Sequence, residues 1–207
     1  MGLMEGSVEA RRILLCTGMV DEMVSIDGFG ELWGRSIFQC PYCHGWELQD
    51  RRWGYLALDD SSQVLPFALQ ALGWTGEVVV FPGGLDVPDE VGERLAAAGV
   101  RLETAPVDRL VRRDGRLEAV ELEDGSVVPC EVLFAHPRQR QVELIRALGV
   151  ALDDEGYVRV GSTTHETSIA GVHASGDLTT HAQGALYAAS CGTQAAMTIN
   201  IELALER

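Results

Sequence analysis

Lysine is absent from this 207-residue chain, so all 16 basic side chains are arginines. That absence excludes a lysine nucleophile, a Schiff-base lysine and the lysine of a phosphate-cradling P-loop. Positive charge is scarce altogether: 31 acids against 16 arginines give a formal net charge of −15 and a pI of about 4.6. A surface this acidic repels phosphate backbones and anionic headgroups, which excludes nucleic acid and membrane as expected partners. There is no run of about 18 apolar residues of the kind a membrane-spanning helix needs. The N-terminal segment MGLMEGSVEARR sets its acids before its arginines, without the order of a secretory signal, and the expected compartment is the cytoplasm.

Cysteines in that compartment are reduced by default. Of the five, Cys16, Cys130 and Cys191 stand alone among apolar or small residues and read as small core hydrophobes. Cys40 and Cys43 differ, because they form a CxxC. The remaining pattern is ordinary for a folded α/β protein, with 46% hydrophobic residues to build a core. Arg12 to Gly18, RILLCTG, reads as a buried strand ending in a glycine turn, and Gly28 to Gly34 as a loop. Ser36 to Cys40 is extended, and Pro41 suits the first turn of a helix. Strands are expected at Trp53–Leu58 and Glu77–Phe81, with helices at 63–72 and 90–98. A β-meander over 107–132 turns at Asp114-Gly115 and Asp124-Gly125. Beyond it come a helix over 141–148, strands at 157–160 and 172–174, and a long helix of small and apolar residues over 184–205. Strand–helix–strand units of this kind predict parallel sheets.

The segment Cys40-Pro41-Tyr42-Cys43-His44 admits four chemistries. As a dithiol–disulfide centre, two thiols in the first turn of a helix come within bonding distance. The helix N-terminus then stabilises the thiolate that exchange requires. As half a zinc site it needs two further paired ligands, and no other cysteine or histidine supplies such a pair. It also fits the CxxCH of c-type haem attachment, which requires export. Last, the two thiols can be purely structural. A second cluster is GVHASGD, Gly171 to Asp177, where glycine permits close ligand approach and an acid can hold a sugar hydroxyl.

Taken in order, RILLCTG, CPYCHGWE and TSIAGVHASGD followed by a small-residue helix resemble the thioredoxin reductase family. The nearest likeness is its CPYCHG branch, which includes dithiol oxidases of disulfide natural products. The resemblance runs from about Arg11 to the C-terminus. It implies a truncated two-domain α/β fold: an NAD(P)-type three-layer domain over 36–137 that carries the CxxC, and the remaining part of an FAD-type domain from 1–35 and 138–207. It also implies roles. Cys43 would face the flavin, Cys40 would attack the substrate disulfide, and His44 would shuttle a proton. Thr17, Gly18, Gly176, Asp177 and Gln183 would line the FAD site. No metal is implied.

Two departures qualify these roles. The GxGxxG turn that seats the FAD pyrophosphate has no counterpart, so roughly the first third of the family's length is missing. The chain then reads as a fragment, or as a natural short form that binds flavin weakly or not at all. After the strand at 53–58, where a glycine-rich nucleotide turn belongs, the sequence is Asp59-Asp60-Ser61-Ser62-Gln63. Carboxylates at a pyrophosphate are unfavourable, so NADPH is not an expected cofactor. The expected function is a thiol–disulfide oxidoreductase acting on a small dithiol or disulfide, or on a thioredoxin-like protein, as a homodimer. The alternative is a catalytically degenerate remnant serving as a dimeric interaction or redox-sensing protein.

Overall fold

The computed structural model describes residues 9–207. Most of the segment inspected for a leader, residues 1–8, lies outside them. The chain forms two compact units: Glu22–Arg138, and the chain up to Asp21 together with Gln139–Arg207.

The Glu22–Arg138 unit is built on a five-stranded parallel sheet. Numbered along the whole chain, its strands are β3 (Ile37–Phe38), β4 (Trp53–Leu56), β5 (Val78–Phe81), β6 (Arg101–Leu102) and β10 (Val132–Ala135), in spatial order β3-β10-β4-β5-β6. β4, β5 and β10 are buried at every residue, as their unbroken apolar runs require of a sheet covered on both faces. Alternation along these strands sorts the core into two. Trp53, Tyr55, Val78, Val80, Val132 and Phe134 share one cluster with residues of the helices α2 (Pro41–Leu48), α3 (Val64–Ala71) and α4 (Asp89–Ala97). Leu56, Val79, Phe81, Leu133 and Ala135 join the second, with Leu110, Leu117, Val120, Leu122 and Val128. The latter belong to the antiparallel meander β7 (Val107–Arg113), β8 (Arg116–Leu122) and β9 (Val127–Pro129). The result is three layers: helices, parallel sheet, meander.

The glycine-rich stretch 28–34, expected as a loop, holds a one-turn helix, α1 (Phe29–Leu32). Gly28 enters it at φ 89°, and Phe29 and Leu32 anchor it as fully buried members of the meander-side core. That burial moves the first crossing between units to Asp21–Glu22, earlier than the expected 35–36; the return falls at Arg138–Gln139.

In the other unit, β1 (Ile13–Leu15) pairs in parallel with β12 (Val172–Ala174), and β2 (Met19–Asp21) pairs antiparallel with β11 (Gln139–Gln141). Because β11 takes the residues up to Gln141, the helix expected from there starts later, as α5 (Glu143–Leu148). The strand expected at 157–160 is reduced to one bridge, Leu152 to Val158. Its backbone is claimed elsewhere: the Tyr157 N–H donates to the Asp153 carboxylate, and the Val158 N–H to the Leu178 carbonyl. Leu15, Ile145, Val150, Val158, Val172, Ala174 and Leu178 form the core, and α6 (Ala185–Leu205) closes the chain.

Candidate active site

Buried β3 delivers the chain to Cys40, which is extended (φ −125°, ψ 119°) and is the N-cap of α2. Pro41 follows at the first helical position, where its fixed φ suits the helix and its missing N–H would have had no partner. The Cys43 N–H donates to the Cys40 carbonyl at 3.2 Å, so both cysteines lie in the opening turn. Both are thiols; Cys40 is half-buried and Cys43 exposed. The helix is pinned by its opposite face, where Pro41, Gly45 and Leu48 are buried. A Cβ on Gly45 would lie 2.6 Å from the Trp74 indole nitrogen, so the ring rests directly on the helix backbone. Trp74 also meets Tyr42 edge-on at 5.4 Å and stacks on Trp53 at 5.8 Å. Gln70 Nε2 donates to the Tyr42 hydroxyl at 2.7 Å, and the His44 ring lies 4.5 Å from Phe38. Cys40, Cys43 and His44 are therefore carried on one braced helical turn.

The remaining predicted site residues belong to the other unit. β1 and β12 run in parallel in the register Leu15 to Ala174, and the Ser175 N–H donates to the Leu15 carbonyl. Thr17 and Gly18 thus follow one strand, and Gly176 and Asp177 the other, at the carboxyl end of adjacent parallel strands. That is where open α/β sheets bind ligands. Gly176 sits at φ 87°, ψ −155°, a conformation open essentially only to glycine. Asp177 Oδ1 and Ser175 Oγ are both buried without a hydrogen-bond partner among the described residues. The N-terminus of α6, at Gly184, has no side-chain cap. Gln183 is engaged by Gln139: each amide donates to the other, at 2.6 and 3.2 Å. Cys16, expected as a core residue, is exposed, because β1 ends at Leu15 and leaves it on the loop.

Residues 4–196 match the family Pyridine nucleotide-disulphide oxidoreductase. The chain belongs to this family. Within it the chain is thioredoxin-reductase-like. It is 30% identical over 207 residues to the thioredoxin reductase sirT of Leptosphaeria maculans, covering 93% of this chain and 63% of that protein. It is 33% identical over 177 residues to the thioredoxin reductase tcpT of Claviceps purpurea, covering 81% and 54%. The chain therefore spans less than two thirds of the length of these relatives. Among solved structures, HlmI superposes with a TM-score of 0.82 at 34% identity over 94% of this chain and 61% of that one. A putative thioredoxin reductase TrxB from Bacillus anthracis gives 0.85 at 30% over 95% and 66%.

The turn after β4 carries two acids, Asp59 and Asp60. Asp60 caps the short 3₁₀ turn Ser61–Gln63 with its own side chain: one carboxylate oxygen accepts the Ser62 N–H at 2.8 Å, the other the Ser62 hydroxyl at 2.5 Å. These bonds hold the Asp60 carboxyl below its usual range. Asp59 is paired with Arg138 at 2.8 Å. Among the described residues, no group of three or more histidines, cysteines and acids could hold a metal ion, and no helix is long and apolar enough to cross a membrane.

Sequence reasoning missed Trp74, Gln70 and Ser175. The first two act on α2 from about 30 residues away with no local signal. The serine stood inside ASGD and could have been found as a polar residue closing a buried strand.

Proposed function

We propose that this protein is a thiol–disulfide oxidoreductase of the dithiol-oxidase kind, with Cys40 and Cys43 as its redox pair. The observation that carries the proposal is the placement of both sulfurs in the first turn of α2, one half-buried and one exposed, on a helix braced from its other side. A substrate dithiol attacks the Cys40–Cys43 disulfide and forms a mixed disulfide. Its second thiol then displaces the remaining enzyme sulfur. The substrate leaves as a disulfide, the pair becomes a dithiol, and two electrons and two protons have moved to the protein. Only thiolates attack, and His44, beside the pair with its ring tilted against Phe38, is the residue assigned to take the proton.

FAD fits the other unit. Asp177 Oδ1 and Ser175 Oγ are buried groups awaiting partners, Gly176 allows close approach, and the uncapped N-terminus of α6 presents backbone N–H groups suited to an electron-rich ring edge. These residues, with Thr17 and Gly18 on the neighbouring strand end, would hold its ribityl and ring portion. When bound, FAD supplies a two-electron acceptor. Gln183 could join them only by releasing Gln139. NADPH does not fit the turn after β4. The N–H that would bind a pyrophosphate is already taken by Asp60, whose negative charge repels phosphate. The exposed apolar face of α6 supports a homodimer, and the substrate is a small dithiol or disulfide or a thioredoxin-like protein.

The test joins a cofactor spectrum to thiol turnover. Protein loaded with FAD should show flavin bands and oxidise a dithiol. Cys40→Ser should lower that rate at least about a hundredfold, as loss of a covalent nucleophile does. If Cys40→Ser leaves every thiol assay unchanged, the degenerate-remnant reading replaces this one.

A further inference from the structure

β10 runs beside β3, the strand that delivers Cys40. The two are parallel, with Phe134 opposite Phe38 in the register. Two residues further along each chain stand His136 and Cys40. Both continue the extended backbone. Cys40 is at φ −125°, ψ 119°, and His136 precedes Pro137, whose ring keeps the residue before it out of the helical region. Neighbouring strands lie about 4.8 Å apart, so His136 and Cys40 are neighbours at the carboxyl end of the sheet. Side chains two apart on a strand share a face. Phe38 and Phe134 both belong to the core on the helix side of the sheet, which sets Cys40 and His136 on that side as well. The His136 ring meets Tyr55, a member of the same core, edge-on at 6.2 Å. Tyr55 is in turn stacked on Phe67 at 4.3 Å, a fixed wall behind the imidazole. Pro137 is buried and anchors the backbone, while His136 itself is exposed. The titratable groups at this end of the sheet include Cys40, Cys43 and His44 on α2 and Tyr55 on β4. The acids of the turn after β4 are engaged, Asp59 by Arg138 and Asp60 by Ser62.

We propose that His136 is the acid–base partner of Cys40. This rests on the reading of Cys40 and Cys43 as the exchanging pair, and the experiment separates the two. The substrate's first thiol gives its proton to His136 and attacks the Cys40 sulfur; the Cys40–Cys43 bond breaks and Cys43 leaves as a thiolate. The second substrate thiol then attacks the mixed disulfide, the substrate closes its own disulfide, and Cys40 leaves as a thiolate. His136 returns its proton to the Cys40 sulfur. The proton of the second thiol reaches the Cys43 sulfur through His44, which follows Cys43 in the chain. Two electrons and two protons end on the pair, and each sulfur has a histidine of its own, one from the helix and one from the sheet.

The test reads the Cys40 thiol by itself. With Cys16→Ser and Cys43→Ser in place, Cys40 is the accessible thiol that remains, since Cys130 and Cys191 are buried. Iodoacetamide alkylates the thiolate: the sulfur displaces iodide and a thioether forms, and mass spectrometry follows the rate against pH. His136→Phe keeps a ring against Tyr55 and removes the titrating nitrogens. It should slow alkylation about tenfold at pH 7, the effect of losing one nearby positive charge. At pH 10, above the ordinary thiol range, its rate should fall within about twofold of the parent's. Should His136→Phe fail to fold, His136→Gln carries the same comparison. A profile that follows the parent's at every pH overturns the assignment, and so does an equal loss at pH 7 and pH 10, the signature of a displaced helix. Separately, the Cys16→Ser protein with both cysteines is equilibrated with reduced and oxidised dithiothreitol. If no reversible Cys40–Cys43 disulfide forms, the pair reading fails and takes the assignment with it. If the disulfide forms and the alkylation profiles coincide, the assignment alone fails.

Discussion

Cys130 and Tyr55 illustrate how burial sets chemistry at single residues in this protein. The Cys130 thiol is fully buried, donates to the Val132 carbonyl at 3.2 Å and packs under Gly54; burial pushes its pKa up to about 12, so it stays protonated and inert. Tyr55 on β4 is stacked on Phe67 at 4.3 Å. Burial, with the Asp60 carboxylate as a secondary cause, pushes its phenol up to about 12. The folded pKa thus lies above the ordinary value of about 10. The stabilisation from keeping Tyr55 neutral is complete below pH 10 and is lost as pH rises from 10 towards 12. A melting-temperature series across that window should fall in the parent and fall less steeply in Tyr55→Phe; parallel curves would contradict the assignment. The contrast between Cys130 and exposed Cys16 also marks what local sequence hides. Both stand in apolar surroundings along the chain, and only the point where β1 ends separates a core thiol from a surface one.

Among the elements, α2 carries the most consequence. Its start was legible, since an extended run followed by Cys-Pro is a helix N-terminus with the proline at its first position. What holds it was not. Gly45 is glycine because the Trp74 ring occupies the space a Cβ would need. Gly45→Ala should therefore destabilise the protein by about 1–3 kcal/mol through overpacking, less about 1 kcal/mol returned by helix propensity. Urea unfolding with the fluorescence of the tryptophans as probe measures the balance, and a stabilised variant would show that Trp74 moves aside freely. The β-meander was equally readable from its Asp-Gly turns. The loss of the strand expected at 157–160 was not, because the Leu178 carbonyl that takes the Val158 N–H is brought there by tertiary packing, while the Asp153 carboxylate takes the Tyr157 N–H within a local turn.

At the scale of the whole molecule, α6 presents an apolar stripe to solvent. Leu186, Met197, Ile201 and Leu205 fall within about 100° of helical arc, and Leu186 and Leu205 are 90% and 83% exposed. A second copy of the chain is the proposed cover, since exposed apolar surface on a helix, here densest at Met197, Ile201 and Leu205, marks an association face. Sedimentation of the parent should give a dimer, and Met197→Glu with Ile201→Glu should shift it towards monomer. Sedimentation as a monomer at micromolar concentration would exclude that cover.

The sequence alone determined the local chemistry: a cysteine pair at the mouth of a helix, two carboxylates in the turn after β4, a Ser-Gly-Asp turn after a buried strand, and parallel strands marked by unbroken apolar runs. Each is written in contiguous residues, because helix starts, turns and strand burial depend on neighbours a few positions apart. Only the tertiary structure decided that Phe29 and Leu32 belong with the meander, that Trp74 and Gln70 brace α2, and that Gln139 holds Gln183. It also decided that Ser175 Oγ and Asp177 Oδ1 are buried without partners among the described residues, and that Trp46 faces water. Those outcomes follow from which distant segments share a core, and burial of that kind is a property of the packed chain that no short stretch of residues contains.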